Sequence, residues 1–236
     1  IVDSTASSAS VEDMLMPEEQ TWITITVAGN VARGLDGTAP KVTTSTKEPP
    51  RFILNGTTSQ ILYLFTANGQ AATLPVQQLP QAADYTDGAL FSDLTPLSAK
   101  DEIVGALSLP GNLSTGYLFL TSETGQVKRI RAEDLPGATM NAFTVMNVSD
   151  DDRLAFVFPT DGNQEIILTT NQAQSIRFKE DDVRPTGLQA GGMRGIKMTG
   201  QRAHIVGSDL AVEGQYMWTI TEDGVAKISP VEDYPT

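Results

Sequence analysis

Lysine and arginine recur in this chain at a fixed distance from a series of tight turns. Arg33, Lys128, Arg129, Arg177 and Lys227 each stand three or four residues past a turn residue, which is Gly29, Gly125, Ala173 or Gly224. Cations at regular intervals are unsuited to acid–base work at neutral pH. They are suited to meeting successive phosphates of a nucleic acid by counterion release, without reading base sequence. Arg131, Lys179, Arg184, Arg194 and Lys197 lie close by in sequence and extend the candidate set to ten. For each alone, the plain reading is a solvated surface charge; as a set in one register they are expected to contact DNA. Arg184, beside Pro185, and Arg194, inside a Gly-rich turn, have a second reading as ties between structural units, bonding backbone carbonyls.

The elements that must carry these cations follow from a phrase that occurs five times. An apolar strand meets a turn centred on Gly, and a second strand returns: TITVAGNVAR (Thr24–Arg33), LFTANGQAAT (Leu64–Thr73), FLTSETGQVKR (Phe119–Arg129), LTTNQAQSIR (Leu168–Arg177) and TITEDGVAKI (Thr219–Ile228). The turn residues are Gly29, Gly69, Gly125, Ala173 and Gly224, spaced by 40, 56, 48 and 51 residues. The strands are β-branched or aromatic runs such as WITITV, ILYLFT and YLFLTS, and the short loops suit antiparallel hairpins. A polar segment ending near Pro follows each hairpin, and then a further strand, clearest at Asp101–Leu107, Asp152–Phe158 and Ala203–Gly207. No helical period of useful length is present. The chain is expected to be all-β, a propeller-like ring of about five blades built from antiparallel repeats of roughly 50 residues. The repeats start near residues 21, 60, 115, 164 and 214, the last incomplete. Residues 1–20 read as a flexible acidic linker and 21–236 as one domain.

Several classes of chemistry have no support. The 236 residues include no Cys and one His, which removes disulfides, thiolate metal sites and Cys nucleophiles. His204, in the apolar run AHIVG, is expected to be a buried strand residue, and Trp22 and Trp218 are expected in the core. No G-x-S-x-G or other nucleophile motif occurs. The acidic runs Asp150–Asp152 and Glu180–Asp182 lack the alternating ligands and sharp Gly of a hard-cation loop and read as solvated turns or partners of nearby cations. Gly191–Gly195 lacks the Lys-Ser/Thr of a phosphate loop. No catalytic residue, cofactor or metal is expected. No apolar run is long enough to span a bilayer, and no leader pattern opens the sequence.

The net charge is −13, but it is unevenly spread. Residues 125–205 hold ten basic and ten acidic side chains; the other 155 hold six and nineteen. A local basic face on an acidic protein is therefore expected.

The block EIILTTNQAQSIRFKEDDVRPTGLQAGGMRGIKM (Glu165–Met198), the terminal TITEDGVAKISPVEDYPT and LTSETGQVKRIRAEDLPG together resemble the C-terminal domain of the A subunits of DNA gyrase and topoisomerase IV. The likeness is strong over 115–236 and weak over 21–60. It implies a β-pinwheel, a ring whose blades exchange strands, and a non-catalytic role: binding and wrapping duplex DNA around a basic perimeter. It implies as partners double-stranded DNA, the ATPase subunit of the parent enzyme and the catalytic core of its A subunit, in the bacterial cytoplasm with the nucleoid. Two features depart from the pattern. The basic Gly-rich box that follows the first hairpin in gyrase is replaced by GLDGTAPKVTTSTKEPP, whose cations, with Arg51 just beyond, are Lys41 and Lys47. The second repeat has Ala72 and Thr73 where others carry a cation. These losses leave open a divergent acidic propeller that binds proteins and does not wrap DNA.

Overall fold

A computed structural model describes residues 18–43, 46 and 48–234. The expected acidic linker, 1–20, lies almost wholly outside these residues. The five phrases form five hairpins: β1 (Gln20–Thr26) with β2 (Asn30–Arg33), β4 (Ile61–Thr66) with β5 (Gln70–Pro75), β8 (Tyr117–Ser122) with β9 (Gln126–Arg131), β12 (Glu165–Thr170) with β13 (Ser175–Lys179), and β16 (Tyr216–Ile220) with β17 (Ala226–Pro230).

One turn chemistry closes all five. The turn residue donates its N–H to the carbonyl three residues back, at 2.9–3.1 Å in each case. The residue at that position is always Ser or Thr: Thr26, Thr66, Ser122, Thr170, Thr221. Its hydroxyl accepts the N–H four residues on, at 3.1–3.2 Å. A side-chain oxygen thus satisfies a backbone donor that the tight turn would leave without a partner. The turn residue itself adopts positive φ, from 76° to 88° at the four glycines and 57° at Ala173. The last four hairpins each run into a single 3-10 turn, at 76–78, 132–134, 180–182 and 231–233.

Each hairpin is the centre of a blade. A third strand lines one edge: β3 (Pro50–Thr57), β7 (Ile103–Leu109), β11 (Leu154–Thr160) and β15 (Ile205–Leu210) in blades 1 to 4. The opposite edge is closed by a two-residue strand from the next repeat: β6 (Ala89–Leu90) on β2, β10 (Phe143–Thr144) on β5, and β14 (Met193–Arg194) on β9. The sheets are therefore β3-β1-β2-β6, β10-β5-β4-β7, β11-β8-β9-β14, β13-β12-β15 and β16-β17. Successive blades are laced by strand exchange.

The core lies between blades, so a central strand is buried on both faces and reads as an unbroken apolar run. In β4, Leu62 and Leu64 pack back on Ile23, Ile25 and Val31 of blade 1. Tyr63 and Phe65 pack forward on Leu118, Leu120 and Ile130 of blade 3. Phe119 and Val127 repeat this against Ile166 and Leu168 of blade 4. Burying one such side chain contributes about 1.5–3 kcal/mol. Blade 5 has a much smaller contact, centred on Ile167, Ala211 and Val231 with Met217 and Tyr234. Its outer face leaves Tyr216, Trp218, Ile220 and Ile228 exposed.

Candidate nucleic-acid interface

The returning strand alternates, so residues three and four past the turn point to opposite faces. Four past the turn, the residues are Arg33, Thr73, Arg129, Arg177 and Ile228. In blades 1 to 4 this side chain reaches the segment that follows the next blade's hairpin. Arg33 Nε donates to the Leu79 carbonyl at 3.3 Å. The Thr73 hydroxyl donates to the carbonyls of Gly137 and Thr139 at 3.2 and 3.3 Å. Arg129 pairs with Glu180 at 3.6 Å and Asp181 at 3.0 Å, with its guanidinium 4.4 Å from the centre of the Tyr117 ring. Arg177 pairs with Glu165 and donates to the Val231 carbonyl at 3.2 Å. The register is a latch between neighbouring blades.

That geometry corrects the expectation that the aligned cations share an open edge. Arg129 is 3% exposed and Lys128 is 1% exposed, so neither can reach a phosphate. Lys128 lies on the other face of β9, its Nζ donating to the carbonyls of Val145, Leu188 and Ala190 at 2.7–2.8 Å. Burial pulls its ammonium down to about 8. Arg33 and Arg177 are half-buried and bound to carbonyls or a carboxylate. Arg153 and Arg51 are likewise engaged, sharing Glu102 at the start of blade 2's third strand.

Six of the ten candidates remain available. Arg131, Lys179, Arg184, Arg194, Lys197 and Lys227 are exposed, and their side chains make no hydrogen bond or ion pair among the described residues. Of the two readings of Arg184 and Arg194, the tie between units is not what the side chains do. The six are not all on one edge. Arg131 and Lys179 each immediately precede a 3-10 turn, at the far end of the hairpin from its turn residue. Arg194 and Lys197 lie near the turn ends of blades 3 and 4: Arg194 pairs with Gln126 in the ladder, and the Lys197 carbonyl accepts from Gln174. Arg184 joins the two levels along the outer strap of blade 3, and Lys227 sits on blade 5.

Other assignments also change. Glu180 is fully buried: it accepts from Thr160 Oγ1 and from the N–H groups of Gly162 and Gln164 at 2.6–2.9 Å, besides facing Arg129. Of the two readings of this run, partner of a nearby cation holds for Glu180 and Asp181, and solvated turn fails for Glu180, because three donors and a guanidinium compensate its desolvation. His204 is exposed and precedes β15, with Nδ1 3.1 Å from the Arg202 carbonyl. Trp218 is 66% exposed, because blade 5's forward face carries nothing among the described residues; Trp22 is half-buried and donates Nε1–H to the Gly37 carbonyl. The run Gly191–Gly195 serves close packing: a Cβ at Gly192 would lie 2.9 Å from the Val127 carbonyl, and one at Gly195 2.5 Å from a Val127 methyl. No cluster of three or more His, Asp or Glu residues able to hold a metal occurs among the described residues.

The family described as DNA gyrase C-terminal domain, beta-propeller, matches residues 116–161, 164–208 and 216–236. The A subunit of DNA gyrase from Klebsiella oxytoca is 29% identical over 184 residues, covering 78% of this chain and 21% of that protein. Its counterpart from Ureaplasma parvum serovar 3 is 25% identical over 239 residues, covering 97% of this chain and 28% of that protein. The chain thus spans about a fifth to somewhat over a quarter of these curated relatives. The C-terminal domain of DNA topoisomerase IV superposes with a TM-score of 0.79 at 23% identity, over 94% of this chain and 71% of that one. Blades, exchanged strands and sequence agree, and the chain belongs to the family of C-terminal β-pinwheel domains of gyrase and topoisomerase IV A subunits, the non-catalytic part of those subunits.

Proposed function

We infer that residues 21–236 form a DNA-binding and DNA-bending domain in the A subunit of a type IIA topoisomerase, acting beside that subunit's catalytic core and its ATPase partner in the bacterial cytoplasm. The observation that carries this reading is that six of the ten candidate cations are exposed and without partners among the described residues, five of them between Arg131 and Lys197, in a protein of net charge −13. Charges left unneutralised by the fold are available to phosphates, and their placement at several levels of blades 3 and 4 suits a duplex crossing the ring's outer side. Base edges are not read in this scheme, so affinity is independent of sequence.

Duplex affinity measured between roughly 50 and 200 mM salt tests it. If all six cations meet phosphates, log K falls with log salt at a slope of about −5. No binding at roughly 50 mM salt overturns the reading. A second reading, a protein-interaction module, is favoured by one observation: the exposed apolar ladder Tyr216, Trp218, Ile220 and Ile228 on blade 5. Affinity for duplex that is absent while an apolar protein partner binds independently of salt would support it instead.

A further inference from the structure

We propose that Lys128, a buried residue, is a positioning residue for DNA binding: it anchors the strap that carries Arg184 and Arg194. The proposal rests on the reading under Proposed function. The strap leaves blade 4 after its 3-10 turn and runs along the outer edge of β9. Its first end is fixed where Pro185 bridges Arg129 and Thr186 N–H donates to the Arg129 carbonyl at 2.9 Å. Its far end is fixed where β14 pairs with β9 and Gly195 N–H donates to the Gly125 carbonyl at 2.9 Å. Between these points the chain bows away from β9 with no ladder to hold it. Lys128 fills that gap, and its ammonium donates to the Leu188 and Ala190 carbonyls of the strap. The third acceptor, the Val145 carbonyl, belongs to the segment donated to blade 2, so one nitrogen ties two neighbouring crossovers together.

A comparison within the molecule supports a role beyond packing. At the same register, three residues past the turn, blades 1 and 2 have Ala32 and Ala72. Their straps, 80–88 and 136–142, contain no Lys or Arg. The strap flanked by exposed, unpaired arginines is the one held from inside by an ammonium. Three charge-assisted hydrogen bonds to main-chain carbonyls fix backbone position, and so fix the separation at which Arg184 and Arg194 meet a duplex. Without them, the strap between its two ends keeps the packing of Leu188 and one bond from the Asn147 N–H to the Ala190 carbonyl at 3.2 Å, which restrain that separation less.

Lys128→Met, which keeps the length of the side chain and removes the donors, is the direct test, read by amide hydrogen exchange and by duplex affinity. Exchange over 186–194 is expected to rise by about tenfold or more while β8 and β12 stay protected. The salt slope of duplex binding should become shallower by about two, matching an Arg184→Gln/Arg194→Gln double variant, with no further change when all three are combined. Lys128→Gln, whose amide keeps two donors, should fall between and supplies the answer if the Met variant does not fold. A strap that stays protected, or a salt slope left at the wild-type value in a folded variant, overturns the anchoring role. A wild-type chain that binds no duplex overturns the underlying reading, and the exchange measurement then still decides the anchoring.

Discussion

The junction between blades 2 and 3 and the junction between blades 3 and 4 use one backbone plan with opposite side chains. At the first, Ala72 is packed without a polar group and Thr73 gives the strap a neutral hydroxyl latch. At the second, the same two positions hold Lys128 and Arg129, both buried, with Glu180 and Asp181 facing the arginine. The neutral junction satisfies its strap with one hydroxyl. The ionic one commits two buried cations and a buried carboxylate to the same task. The difference teaches that a cation repeated in register can mark where a blade grips its neighbour, while the free cations of blades 3 and 4 stand outside the register and Lys227 is the register cation left free.

The ionic junction should be the harder to break. Replacing Arg129 by Met leaves Glu180 buried without its guanidinium, and loss of one partner from a buried pair costs about 3–5 kcal/mol. Thr73→Val at the neutral junction removes a hydroxyl that shares its proton between the Gly137 and Thr139 carbonyls and accepts the Thr139 N–H, and should cost about 1–2 kcal/mol. Denaturant unfolding of both variants checks the ranking; equal losses would mean that the buried charges add nothing to the latch. Combining Arg129→Met with Glu180→Gln, whose neutral amide oxygen still accepts from the Gly162 and Gln164 N–H groups, should recover much of the loss, since the uncompensated charge is then gone.

The turns give a second contrast between acceptor blades. In blades 1 to 3 the donated segment lies over the turn glycine: a Cβ at Gly69 would be 2.1 Å from the Met146 carbonyl oxygen, and one at Gly125 2.6 Å from an Ile196 methyl. Blade 4 has three strands among the described residues and carries Ala173 at φ 57°. Gly69→Ala should therefore destabilise by about 2–3 kcal/mol, because strain in φ and overpacking against backbone add. Ala173→Gly should stabilise by about 0.5–1 kcal/mol, relief of the left-handed strain exceeding the entropy of a freer unfolded chain. If Ala173→Gly is destabilising, the lack of a donated strand on blade 4 among the described residues does not explain why Ala is tolerated there.

Much of this architecture was legible in the chain. Five hairpins follow from β-branched and aromatic runs interrupted by glycine, and their burial on both faces follows from runs as unbroken as ILYLFT. What was not legible is which face of the returning strand meets the next strap. Alternation separates Lys128 from Arg129, but the atoms that bury them belong to segments 17 to 62 residues away. A signal was nonetheless present. The first residue of the 3-10 turn is Val76, Ala132 and Val231 in three blades and Glu180 in the fourth. That one acid at an apolar position faces the Arg of the preceding blade. The Ser or Thr three residues before every turn residue was an equally regular sign of how the hairpins close. The exposed set was harder to read, because Arg184 and Arg194 belong to no register and owe their position to a crossover.

Lys128 adds a pH test of the ionic junction. Its folded value of about 8 lies below the unfolded value near 10.5, so the folded state releases this proton first. Between those values the unfolded chain holds more protons, and stability should rise with pH by at most about 1.4 kcal/mol per unit. Below about 8 the group is charged in both states and contributes no slope. Comparing unfolding of the wild type with Lys128→Met from pH 7 to 10 isolates this contribution, which has no counterpart at Ala72. Identical curves would mean that the three carbonyls hold the ammonium as firmly as water does.

The smallest expected effect is the sharpest test of the contrast between latch and ligand. Thr73→Lys restores a cation at the one blade whose register lacks it. If register made phosphate ligands, duplex affinity should increase and the salt slope steepen by about one. The Thr73 hydroxyl instead points at the carbonyls of Gly137 and Thr139, beneath a strap that no phosphate can cross. An ammonium there meets main-chain oxygens, as Lys128 does, so the slope should stay at the wild-type value even if stability changes. A steeper slope in Thr73→Lys would show that the returning strand faces the duplex, and would return Arg33 and Arg177 to the list of phosphate contacts.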